Sequence, residues 1–262
     1  MNFPKIKKYY RKTKKSFELS WFLATAGFKL KNEGSYLGIL WYLLAPLLLF
    51  IIMLFVKGAA FSHKIIDFYP MYLLFGVVIN NFFSSIIGAS INSMSGNAGF
   101  IKSMKIEYEP FIFSNILQNI FSHMFEVAVI AGFMIFYHIS LFGLVYYFII
   151  MFFFLIFLTG VSFLFSTIGA FISDFSNVWK FASQLLFFIT PIFYAISPGD
   201  PNYFVNLFNP LFYFLTIFRQ VVVYEKMPEL WMVFVALGLS FGFLIIGFLV
   251  FQMFKKKFAE SV

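Results

Sequence analysis

Residues Asn115–Val129 read NILQNIFSHMFEVAV. The segment lies inside a long apolar run, about Pro110 to Tyr137, yet it carries Asn115, Gln118, Asn119, Ser122, His123 and Glu126. On a helix of 3.6 residues per turn these fall at i, i+3, i+4, i+7, i+8 and i+11, which is one continuous stripe. A charged group at the centre of a bilayer costs about 2.5 kcal/mol or more, so such a stripe turns away from lipid. Two uses fit it. It glues helices together, or it lines a polar pathway, with His123 and Glu126 one turn apart and able to pair.

The surrounding composition places that helix in a membrane. Of 262 residues, 61% are hydrophobic and 11% charged, and 44 are Phe. A soluble domain carries about 25% charged residues. A helix needs about 20 apolar residues to cross a bilayer. Six stretches qualify: about 38–56, 68–91, 110–137, 141–172, 178–196 and 229–254. The expected fold is therefore an all-α polytopic membrane protein with six transmembrane helices. Only His138, Ile139 and Ser140 separate the third and fourth spans, which predicts a tight hairpin. With no cysteine there is no disulfide or thiolate metal site. The basic N-terminus is not followed by a short apolar region and cleavage site, so it does not read as a signal peptide.

Basic residues retained in cytoplasmic loops set the orientation. Nine lie between Lys5 and Lys31; Lys102, Lys105, Lys180 and Lys255 to Lys257 bring that side to fifteen. The other side has four: Lys57, Lys64, Arg219 and Lys226. Both termini are expected in the cytoplasm. The formal net charge of +8 reads as juxtamembrane lysine facing anionic lipid, not as a nucleic-acid surface.

Two apolar segments break the spanning rule. Phe17, Trp21, Ala24 and Phe28 recur at i, i+4, i+7 and i+11, which predicts an amphipathic helix along the cytoplasmic interface within residues 1–37. A partial seventh span is the alternative. Between the fifth and sixth spans, Pro198, Pro201, Pro210 and Pro228 cut the chain, and Leu211 to Val223 reaches only about 20 Å. This predicts a re-entrant helix pair over about 201–224, or else an outer loop skimming lipid.

A second stripe, Asn81, Ser84, Ser85, Gly88, Asn92 and Ser95, runs through the second span and reads more as packing than as pathway. No HExxH, GxSxG or phosphate-binding GxxxxGK[ST] occurs. Asp67, Asp174 and Asp200 sit in separate loops, so no metal site is expected.

Four local patterns together resemble the ABC-2 type permeases that export lipid-linked polysaccharides such as O antigens and wall teichoic acids. They are SYLGILWYLLAP at Ser35–Pro46, NAGFIK at Asn97–Lys102, FFITPIFY at Phe187–Tyr194, and Asn209-Pro210 followed by Phe218-Arg219. They occur in order and cover most of the chain, with residues 38–262 as the transmembrane domain.

The resemblance implies a multi-pass protein of the bacterial cytoplasmic membrane. It implies a homodimer bound to two copies of a cytoplasmic ABC ATPase, with ATP and Mg on that partner and no cofactor in this chain. Contact would run through the 97–108 loop and its Asn97, Ile101, Lys102, Lys105 and Glu107. The interface helix, with Phe17, Trp21 and Phe28, would flank the entrance for a lipid-linked glycan. The third-span stripe would supply polar groups for the sugar. Phe187, Phe193 and Tyr194 would supply rings, and Arg219 would meet the lipid diphosphate or snorkel. Two rivals remain: an ABC-2 exporter of a drug or small lipid, and an intramembrane enzyme using Glu126 and His123 as acid and base.

Overall fold

The computed structural model describes residues 3–33, 36–60, 66–103 and 107–258, with side chains from Thr13 onward except at 57–60. Lys64 and Lys105 therefore lie outside the described residues, as do Ser35 and the side chain of Lys57. Every regular element among the described residues is helical: α1 Phe3–Asn32, α2 Trp41–Ala60, α3 Tyr69–Ile91, α4 Ala98–Ser103, α5 Glu109–Phe136, α6 Gly143–Phe171, α7 Phe175–Ile189, α8 Pro201–Leu207, α9 Pro210–Phe218 and α10 Leu230–Phe254. Five are long and apolar enough to cross a membrane: α2 with its leading turn, α3, α5, α6 and α10.

The sixth expected crossing differs. The run 178–196 is helical only as far as Ile189, in a helix of 15 residues, about 22 Å long. Pro191 lacks the N–H that would continue the ladder, and Thr190 is already extended at φ −66, ψ 137. Residues 190–194 continue as irregular chain.

α3 is the central helix, buried along most of its length. α6 and α10 pack on each other along their length and approach backbone to backbone. A Cβ on Gly160 would lie 2.3 Å from Phe243 C, and one on Gly247 would lie 2.1 Å from Gly160 O. α9 is too short to cross, yet seven of its nine residues are buried. It wedges among α3, α6 and α10, with Phe214 against Phe154 and Phe157 at ring distances of 4.8 and 5.5 Å. Protein on all sides satisfies the condition for a broken helix at depth.

The α5–α6 hairpin closes as expected, but by an unusual cap. His138 takes the left-handed conformation at φ 56. Its N–H donates to Ile135 O, and the Ile139 N–H donates to Met134 O. This is the glycine-type helix ending made with histidine. α1 is one continuous helix docked along α5. Ala24 is buried, and Trp21 and Phe28 both set edges against Phe121 at 5.5 and 5.8 Å. Phe17, expected on the same face, is 64% exposed while Ser20 and Ala24 are buried, so the docked line of α1 runs through Ser20 and Ala24 and passes Phe17 by.

Candidate functional site: a polar cavity above a buried network

The opening stripe divides in two. Asn115, Gln118, Asn119 and Ser122 line a cavity of about 350 Å³. The second stripe meets them there: Ser85, Gly88, Ala89 and Asn92 of α3 form the facing wall. α1 adds Phe28 and Lys31, and α2 adds Tyr42. The Phe28 ring stacks on Tyr42 at 5.6 Å, and Lys31 lies 5.3 Å from the Tyr42 ring centre. Three amide side chains from α5, that of Asn92, two serines, Tyr42 and Lys31 thus line one space. The Asn115 amide also donates to Ala89 O at 3.1 Å, which holds α5 to α3 at the cavity wall. Gly27 permits the approach of α1, since a Cβ there would lie 2.7 Å from Gln118 Nε2.

His123 and Glu126 do not line this cavity. One turn beyond it on α5 they are 1% and 5% exposed. His123 Nδ1 lies 2.6 Å from Glu126 Oε2, and Nε2 meets the Tyr147 hydroxyl. Asn81 Nδ2, one turn beyond Ser85 on α3, donates to Glu126 Oε1 at 2.9 Å. A neutral imidazole that donates through Nδ1 accepts the tyrosine hydroxyl at Nε2, so every ring nitrogen is used. The network ties α3, α5 and α6 together beneath the cavity. His123, Glu126 and Tyr147 are buried, while Asn81 is exposed, so the acid–base pair of the enzyme reading has no open face of its own. Tyr147 was not singled out by sequence, where it stands beside Tyr146 in an apolar span and nothing marks which of the two is buried.

The motif residues near the other end of α3 form a second knot. Arg219 is 3% exposed. Its guanidinium donates from Nε and Nη2 to Tyr72 O at 3.1 and 2.9 Å, from Nη1 to Pro191 O at 2.6 Å, and from Nη2 to Ile192 O at 2.8 Å. It also lies 3.4 Å over the Tyr72 ring. The structure thus gives Arg219 a place among the Pro191 and Ile192 carbonyls, which the break at Pro191 leaves without helical donors, and the Tyr72 carbonyl of α3. Asn209 caps α9 by accepting from Leu211 N–H at 3.1 Å and donates to Thr190 Oγ1 at 2.7 Å. Phe187 and Phe193 sit at a ring distance of 6.1 Å, and Tyr194 O accepts from the Tyr72 hydroxyl at 2.7 Å. None of Phe187, Phe193, Tyr194 and Arg219 reaches the polar cavity.

In the third predicted group, Asn97 Nδ2 donates to Ser93 O at 2.7 Å and closes the turn before α4. Ile101 is buried, while Phe100 and Lys102 of the same short helix are exposed. Glu107 pairs with Lys255. Among the described residues no group of three His, Asp or Glu could hold a metal ion.

The bundle of long apolar helices around a polar cavity is that of a membrane protein. The chain belongs to the ABC-2 type transporter membrane family, whose model matches residues 21–223. It is an integral membrane protein that crosses the bilayer several times. It is similar to two O-antigen export system permease proteins, both RfbA of Klebsiella pneumoniae, at 28% and 27% identity over 93% of this chain and 95% of each relative. An RfbA of Myxococcus xanthus is 19% identical over 89% of this chain and 91% of its own length.

Proposed function

We propose that the chain is the permease subunit of an ATP-driven exporter of a lipid-linked polysaccharide of O-antigen type in the bacterial inner membrane. The observation that carries this is the cavity formed by α1, α2, α3 and α5. Amides and hydroxyls offer exchangeable hydrogen bonds to sugar hydroxyls, and Lys31 faces a phosphate at the mouth. The full-length similarity to permeases named for O-antigen export supports the cargo. In this reading α7 and residues 190–196 make the remaining crossing, α8 and α9 re-enter from the outer face, and both termini are cytoplasmic. The protein works as a homodimer with two separate ATPase subunits that meet α4. Phe187, Phe193 and Tyr194 line the outer end of the path in the dimer.

The test is reconstitution of the permease with its ATPase and lipid-linked glycan in sealed vesicles. Glycan should stimulate ATP hydrolysis and appear across the membrane, and Gln118→Leu should lower transfer about tenfold. Transfer at the parental rate by the stable variant would remove the cavity from the path.

One observation favours the drug or small-lipid reading. An apolar groove of about 520 Å³ lies between α6, α9 and α10, lined by Phe153, Phe214, Ile217 and Val233. Stimulation of ATP hydrolysis by a small amphiphile and not by glycan selects that reading.

A further inference from the structure

The start of α5, and Glu107 just before it, are fastened to the end of the last long helix. Lys255, the residue after α10, donates from Nζ to Glu109 Oε1 and Oε2 at 2.7 and 2.8 Å, and it also bonds Glu107. Gln252, one turn earlier, donates to Glu109 Oε1 at 2.8 Å. Tyr108, between the two carboxylates, sets its ring 5.8 Å from that of Phe258. Phe258 is fully buried and also meets Phe171 of α6 at 5.9 Å and Phe251 of α10 at 5.2 Å. The side chains of Lys255 and Glu109 are 20% and 15% exposed, so solvent and salt screen the pair less than a surface one. The other lysine–carboxylate pairs among the described residues, Lys14–Glu18 and Lys29–Glu33, are exposed i,i+4 contacts at 3.9 Å, of a kind that contributes little.

We propose that Lys255, with Glu107 and Glu109, is the joint through which displacement of α4 reaches the α6–α10 pair. The proposal rests on the reading of α4 as the ATPase contact. Glu107 follows Ser103, the last residue of α4, by four positions. Lys255 continues directly from α10. α10 cannot slide freely on α6, because their backbones touch at Gly160 and Gly247. A push on α4 that is carried along the chain to Glu107 and Glu109 reaches Lys255 and moves both long helices as one body. With the joint cut, α4 moves and the helices do not follow. Lys255 is thus a positioning residue, and its loss uncouples hydrolysis from transport.

The experiment uses the whole transporter, permease with ATPase, in sealed vesicles, and reads three quantities: ATPase retained, ATP hydrolysed, and glycan transferred per ATP. Lys255→Met should retain ATPase and hydrolyse within about twofold of the parent while glycan per ATP falls about tenfold; Lys255→Arg, which keeps charge and reach, should restore the ratio to within about twofold. A parental ratio in Lys255→Met overturns the proposal, and so does a ratio that Lys255→Arg leaves uncorrected. Loss of bound ATPase in Lys255→Met overturns it as well, because the cluster would then shape the docking surface. Phe100→Asp and Lys102→Glu test the underlying reading separately: full ATPase retention in both would sink α4 as the contact, whatever Lys255 does.

Discussion

Glu126 and His123 stand one turn apart on α5 and bond each other at 2.6 Å, both withdrawn from solvent and from the cavity above them. Each also holds another helix: Glu126 takes the Asn81 amide of α3, and His123 takes the Tyr147 hydroxyl of α6. Removing either leaves buried polar groups without partners. Glu126→Ala and His123→Ala should each lower unfolding free energy by about 2 kcal/mol. The double variant should cost less than the sum, because the two share one bond. A thermodynamic cycle in detergent measures this, and strict additivity would contradict a shared network.

The cavity residues should behave in the opposite way. Gln118→Leu and Asn119→Leu remove amides that line the cavity, the Asn119 one bonded locally to Asn115 O at 2.8 Å, so stability should change by no more than about 0.5 kcal/mol. Glycan transfer should fall about tenfold in each. Paired measurement of melting and transfer separates this outcome from misfolding.

Arg219 should be a stability residue. Arg219→Lys loses the planar fork that reaches Tyr72, Pro191 and Ile192 together and should cost about 2 kcal/mol. Gly76→Ala should disturb the same knot, since its Cβ would sit 2.6 Å from Arg219 Nη2 and 2.9 Å from Ile192 O. The expected cost is about 1–3 kcal/mol. Gly76→Ala placed in an Arg219→Ala background should cost less than alone, as read by thermal unfolding.

Glycines of α10 divide by what faces them. Gly247→Ala places a methyl 2.1 Å from Gly160 O, whereas Gly238 and Gly242 have nothing within 4 Å. Gly247→Ala and Gly160→Ala should each destabilise by about 3 kcal/mol or abolish folded protein. Gly238→Ala and Gly242→Ala should leave yield unchanged or raise it, because alanine is the better helix former by about 1 kcal/mol. Monodisperse yield after extraction distinguishes the pairs.

Much of the helical scaffold was legible in sequence. Apolar length located α2, α3, α5, α6 and α10 within a few residues, because the bilayer demands it and few polar residues interrupt the runs. The hairpin at His138 was legible from loop length, though not its left-handed histidine. The end of α7 was missed because apolar character continues through Pro191, Ile192 and Phe193, while the missing N–H of Pro191 stops the helix. Phe17 was grouped with Trp21 and Phe28 by spacing alone, which cannot tell that the docked line runs through Ser20 and Ala24.

The sequence by itself determined that α5 carries one polar face, since helical periodicity depends on the spacing of residues and nothing else. Only the tertiary structure decided what that face does. Its first four polar residues share a cavity with the α3 stripe, and its last two bond Asn81 and Tyr147 directly. The difference is one helical turn. It is set by how far α3 and α6 stand from α5 at each level, and hydrogen bonds between elements distant in the chain hold that distance.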